Sequence, residues 1–121
     1  MYFTKVNAAG AETRYCDMVE VLWKKEEFSA MVRHAAMGVG GEAGELIDCL
    51  KKVSVYNKTL DRGNLIEELG DMMFYLTIIM SMFGVGEAEV LQANANKLSK
   101  RYEGLVYSDM AAQQRADKQT P

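Results

Sequence analysis

At 121 residues the chain is long enough for one domain with its own core, yet close to the size at which association with another chain helps stability. Charged residues make up 26% and apolar residues 49%, an ordinary soluble balance, and a net charge of −3 without a basic run speaks against an electrostatic nucleic-acid binder. The opening MYFTKVN has no apolar signal-peptide core, and the apolar run over 72–83 is far too short to cross a bilayer, so neither secretion nor a membrane is indicated.

Residues 1–10 read as a poorly patterned lead-in. From Glu12 to Trp23, apolar Tyr15, Met18, Val19 and Leu22 recur at helical steps and predict a short amphipathic helix. Lys24 to Glu27 is a charged connector. A second periodic run extends from about Ser29 to Tyr56, with Phe28, Met31, Val32, Ala35, Ala36, Val39, Ala43, Leu46, Ile47, Leu50 and Val53 keeping one stripe. Gly38, Gly40, Gly41 and Gly44 interrupt it, each at a cost of ~1 kcal/mol against alanine. Close helix packing explains them as well as room for a ligand against the backbone does.

Asn57 to Gly63 reads as a loop, and Asp61 or Asn64 can cap the helix that follows. That helix runs to about Phe83, where Gly84 and Gly86 end it. Its half MMFYLTIIMSMF is apolar on nearly every side, which in so small a chain implies a covering partner subunit. A fourth helix spans Glu87 to about Tyr102, and the tail forms a short turn after Ser108 and then frays. Cys16 and Cys49 have no ligand spacing and fit a reduced, cytoplasmic setting. The fold class is all-α, one domain over 1–121: a four-helix bundle, completed by association into a homodimer or homotetramer.

Two acidic pairs lie at the edges of the second and third helical stripes: Glu42 with Glu45, and Glu68 with Asp71. Spacing i, i+3 puts both members of a pair on one helix face. Carboxylates converging from two helices repel one another and resist desolvation. Hard divalent cations resolve that conflict, Mg²⁺ above all. Phosphoryl chemistry needs charge neutralisation and an aligned water more than a protein nucleophile. Lys51 and Lys52 after the first pair, and Lys97 and Arg101 at i, i+4 on the fourth helix, are candidates to hold outer phosphates.

The sequence GEAGEL around the first pair, EELGDMMFYL around the second and NANKLSKRY further on resemble the MazG-like nucleotide pyrophosphohydrolases over about residues 30–104. The resemblance implies hydrolysis of a nucleoside triphosphate to monophosphate and pyrophosphate. Glu42, Glu45, Glu68 and Asp71 would hold Mg²⁺, with Mn²⁺ able to substitute, and one glutamate would orient the attacking water. It also favours Lys97 and Arg101 as substrate ligands and places Tyr75 in the pocket wall. The single-domain size is similar to stand-alone members, including those of phages.

Each residue has a plainer alternative. The four acids could form a solvated face, and Lys51 and Lys52 could serve solubility alone. Asn94, one turn before Lys97, could touch sugar or phosphate or simply be polar at a core edge. Tyr75 could be core packing, as could Cys49 and Trp23, while Asp48 and Glu67 point away from the motif acids. His34 could edge the pocket, or be a packed or surface residue. A di-iron carboxylate bundle needs Glu-x-x-His pairs, and His34 is in none. The non-enzyme alternative is a helical dimer acting as a regulator, which explains the apolar third helix but not the placement of the acids.

Overall fold

The only proline is Pro121, so nothing in the interior of the chain stops a helix except glycine and turn chemistry. The computed structural model describes residues 4–119; residues 1–3 and 120–121, the ends of the predicted lead-in and tail, lie outside the described residues. The structure is all-α apart from one N-terminal hairpin. The chain divides after Gly84 into two compact units.

The hairpin pairs β1 (Lys5–Ala8) with β2 (Ala11–Arg14), Val6 opposite Thr13. Ala9 and Gly10 make its turn, both with positive φ (51° and 79°). Two left-handed residues in a two-residue loop match the right-handed twist of the strands, usually through Asn-Gly or Asp-Gly. Here alanine takes the first place, and the turn is hard to see in the sequence. The predicted lead-in is therefore partly strand, and the first helix loses its predicted first turn to β2. Helix α1 spans Tyr15–Leu22, and the Tyr15 N–H donates to the Thr4 carbonyl at 3.0 Å.

Helix α2 (Phe28–Ser54) is continuous through all four glycines. The Glu27 carboxylate caps it by accepting the Ser29 N–H at 3.0 Å. Helix α3 (Arg62–Met82) is capped by Asp61, which accepts the Asn64 N–H at 3.1 Å. Gly84, at φ 64°, closes its end in the left-handed conformation that glycine adopts most cheaply. No single helix among the described residues is long and apolar enough to cross a membrane.

The core of the first unit gathers Val19 and Trp23, Ala35 of α2 and Ile78 of α3, with Phe74, Tyr75, Met31 and Met82 packed against them. Trp23 stacks on His34 with ring centroids 4.6 Å apart and meets the edge of Tyr75 at 6.2 Å. It is 5% exposed, the core anchor that its size suggests. Packing requires a glycine at position 38, because a Cβ on Gly38 would run into the Tyr75 ring. Gly40, Gly41 and Gly44 would meet nothing within 4 Å, so packing within the described residues does not explain them.

The expectation that α3 is enclosed on every side is not met by this chain's own packing. Thr77 and Ile78 are buried, but Leu69, Leu76 and Phe83 are exposed.

In the second unit, α4 (Glu87–Arg101) is followed by a 3₁₀ turn (Glu103–Leu105), the short helix α5 (Asp109–Gln114) and a second 3₁₀ turn (Ala116–Lys118). Ser108 caps α5 by accepting the Ala111 N–H at 3.0 Å. Arg101 then ties down the far end: its Nε and Nη2 donate to the two Asp117 oxygens at 2.7 and 3.2 Å. The tail is thus folded as far as it is described, where the sequence suggested fraying.

Candidate functional site

Helices α2 and α3 run antiparallel, joined by a short loop, with Gly38 against Tyr75 near one end of their contact. Moving one turn along each helix from that pair reaches Glu42 on α2 and Asp71 on α3. Glu68 lies one further turn back along α3. One carboxylate oxygen from each of Glu42, Glu68 and Asp71 lies within 4.8 Å of the other two. Glu42 and Glu68 are half-buried, and Asp71 is exposed. The helix spacing seen in the sequence therefore becomes a real three-acid cluster. Glu45 stands outside that group and is exposed, although its charge reaches Glu68.

Burial and crowding act together on Glu68. Its proton is held more tightly than in an ordinary glutamate, first because partial burial penalises the charged form. A hydrogen bond shared with Glu42, and the negative charges of Glu42, Glu45 and Asp71, push in the same direction. Among the described residues, no ion pair engages any of the four motif acids. The site is an oxygen-only concentration of negative charge, half-buried at Glu42 and Glu68 and open at Asp71.

The other candidates fall in three places. Lys51 and Lys52 lie in the exposed last turn of α2, with the Lys51 ammonium 5.6 Å from the centre of the Tyr56 ring. Tyr75, one turn beyond Asp71, is half-buried in the aromatic cluster of Trp23, His34 and Phe74. Asn94, Lys97 and Arg101 lie on α4 in the second unit: Asn94 exposed, Lys97 half-buried, Arg101 paired with Asp117. Sequence reasoning missed Asp117 as the partner of Arg101, because it lies in a polar tail with no periodicity.

Residues 33–106 match the family model of the MazG nucleotide pyrophosphohydrolase domain. The chain is 33% identical over 91 residues to the Gene 37 protein of Mycobacterium phage L5, which covers 71% of this chain and 70% of that protein. It is 32% identical over 71 residues to a protein of Bacillus subtilis (strain 168) described as uncharacterized protein YvdC, covering 51% of this chain and 67% of that one. No solved structure matches.

Proposed function

The chain belongs to the MazG nucleotide pyrophosphohydrolase family, and from that premise we propose that it cleaves a nucleoside triphosphate into the monophosphate and pyrophosphate with the help of a divalent cation. Glu42, Glu68 and Asp71 would hold that ion, Mg²⁺ first and Mn²⁺ as a substitute. One observation carries the reading: the three carboxylates converge to within 4.8 Å, and among the described residues no ion pair neutralises them. The donor set fits such an ion, being all oxygen and anionic. Partial burial first, and then the neighbouring carboxylates, tighten the hold of Glu68 on its proton, and a bound cation would oppose that.

When bound, a divalent ion neutralises phosphate charge and acidifies a coordinated water. The rest falls to the chain itself. Glu45, exposed and outside the three-acid group, would be the glutamate that orients the water that attacks the α-phosphorus. Lys97 would hold the outer phosphates, with Lys51 and Lys52 as further cationic candidates. Arg101, whose guanidinium is already paired with Asp117, would act alongside Lys97 as the family resemblance implies. Asn94 would contact sugar or phosphate, and Tyr75 would line the pocket from the rigid aromatic cluster. Control of a nucleotide pool is the role this chemistry suits.

The products test the reading. Incubation of canonical and modified nucleoside triphosphates with Mg²⁺ should yield monophosphate and pyrophosphate from at least one of them. A diphosphate with orthophosphate would mean that the scissile bond is the wrong one.

A further inference from the structure

His34 stands at the end of a row that begins at the acid cluster. Along α2, steps of four lead from Glu42 through Gly38 to His34, and on α3 a step of four leads from Asp71 to Tyr75. The two rows meet in the middle, where the Tyr75 ring lies against the bare backbone of Gly38. They meet again further on, with the His34 and Tyr75 ring centroids 6.1 Å apart. Eight residues of helix put His34 about 12 Å beyond Glu42 along α2. A nucleotide with its α-phosphorus at the carboxylates carries its sugar and base away from them, and along this row the surface changes from acidic to aromatic.

The imidazole is held in place from below. It stacks on Trp23 at 4.6 Å between centroids, with 28° between the ring planes. Trp23 is 5% exposed and is braced in turn by Phe74 at 6.0 Å and by Tyr75 at 6.2 Å. His34 itself remains exposed. Among the described residues its ring nitrogens take part in no hydrogen bond or ion pair. An exposed ring fixed on a buried aromatic cluster gives up little freedom when a flat ligand settles on it, and such preorganisation favours binding.

We propose that the His34 imidazole, on the face away from Trp23, is the stacking surface for the base of the nucleoside triphosphate. This deepens, and rests on, the proposed cleavage of such a triphosphate at the acid cluster. His34 is then a substrate-binding residue that touches the base and not the reacting phosphorus. Every base has a π-face, so a surface of this kind accepts more than one of them.

Trp23, the only tryptophan of the chain, reports on its neighbour. With Mg²⁺ present, at least one α,β-methylene analogue of the canonical deoxynucleoside triphosphates should change its fluorescence. Inorganic tripolyphosphate, which brings phosphates without a base, should leave the emission unchanged. Equal responses to analogue and tripolyphosphate, or none to any analogue, would overturn the proposal. In steady-state kinetics His34→Ala should raise KM by roughly 5–100-fold for each triphosphate that the parent cleaves, the span of base–aromatic stacking, with a smaller change in kcat. His34→Phe keeps a ring face and should hold KM near the parent value. A His34→Ala variant that melts lower but keeps the parent KM would show a ring that only shields Trp23 and would also overturn the proposal, as would a His34→Phe variant as impaired as His34→Ala. A parent that cleaves no triphosphate, yet answers an analogue and not tripolyphosphate, would overturn the proposed reaction and leave the stacking surface standing.

Discussion

Two regions of this molecule concentrate charge, and they do so in opposite ways. In the second unit Arg101 and Asp117 meet in two-point geometry, their side chains only 17% and 5% exposed. Each supplies what the other lacks, and the pair closes the tail against α4. Between α2 and α3, Glu42, Glu68 and Asp71 converge with no cation among the described residues to compensate them. A compensated pair holds a fold together; an uncompensated cluster is tolerated where a ligand will complete it. Substitutions in the two regions should therefore separate stability from activity.

The largest effects belong to the acid cluster. Glu68→Gln and Asp71→Asn should each lower the rate of triphosphate hydrolysis by at least ~10²-fold, as expected for loss of a key electrostatic group. Steady-state rates for variants with parent-like circular dichroism check this, and near-parent rates would reduce the cluster to a solvated face. Glu45→Gln should cost a similar factor if Glu45 orients the water.

Next come the glycines, which the structure divides into two kinds. Gly38→Ala drives a methyl group into the Tyr75 ring and should destabilise the fold by about 1–3 kcal/mol, as overpacking does. Gly44→Ala meets open space and should stabilise α2 by up to ~1 kcal/mol. Denaturant melts measure both. A loss of activity in a more stable Gly44→Ala variant would show that the bare backbone there serves a ligand.

The pH dependences of the two regions should have opposite signs. Asp117 is held below the ordinary aspartate range, first by its hydrogen bonds to Arg101. Its contribution to stability is present above that range and lost as the pH falls through its lowered value. Glu68 is shifted upward, so its contribution is complete below the ordinary glutamate range and lost as the pH rises through its raised value. Melting curves of metal-free protein across mildly acidic pH should show Asp117→Asn flattening the acid limb and Glu68→Gln flattening the other. An unchanged profile in either variant would break the contrast. In activity, Asp117→Asn should have the smallest effect, through looser placement of Arg101, visible mainly as weaker substrate binding.

One side of this contrast could be read in the sequence, and the other could not. Helices α2, α3 and α4 emerge within two residues of their predicted limits, because long apolar periodicity and the absence of internal proline leave the chain few alternatives. The acids were legible for the same reason, since helical spacing alone places Glu68 and Asp71 on one face. The hairpin was hidden because its turn is Ala9-Gly10 rather than the usual Asn-Gly or Asp-Gly, and because each strand is only four residues long. The Arg101–Asp117 pair was hidden because it joins residues 16 apart through irregular backbone, where no period connects them. The two roles of the glycines could not be separated in one dimension, since only the facing Tyr75 distinguishes Gly38 from Gly44.

The central claim, that the clustered carboxylates form a cation site, is tested most directly by melting the nucleotide-free protein and Glu68→Gln side by side, with and without Mg²⁺. A ligand that binds only the native state at a hundred times its Kd stabilises it by about 2.7 kcal/mol. The account predicts a clear rise in the parent's melting temperature with Mg²⁺ and a much smaller rise in the variant. It also predicts that the metal-free variant is as stable as the parent or more so, because one crowding charge is gone. Equal responses to Mg²⁺ in the two proteins, or no response in the parent, would contradict it.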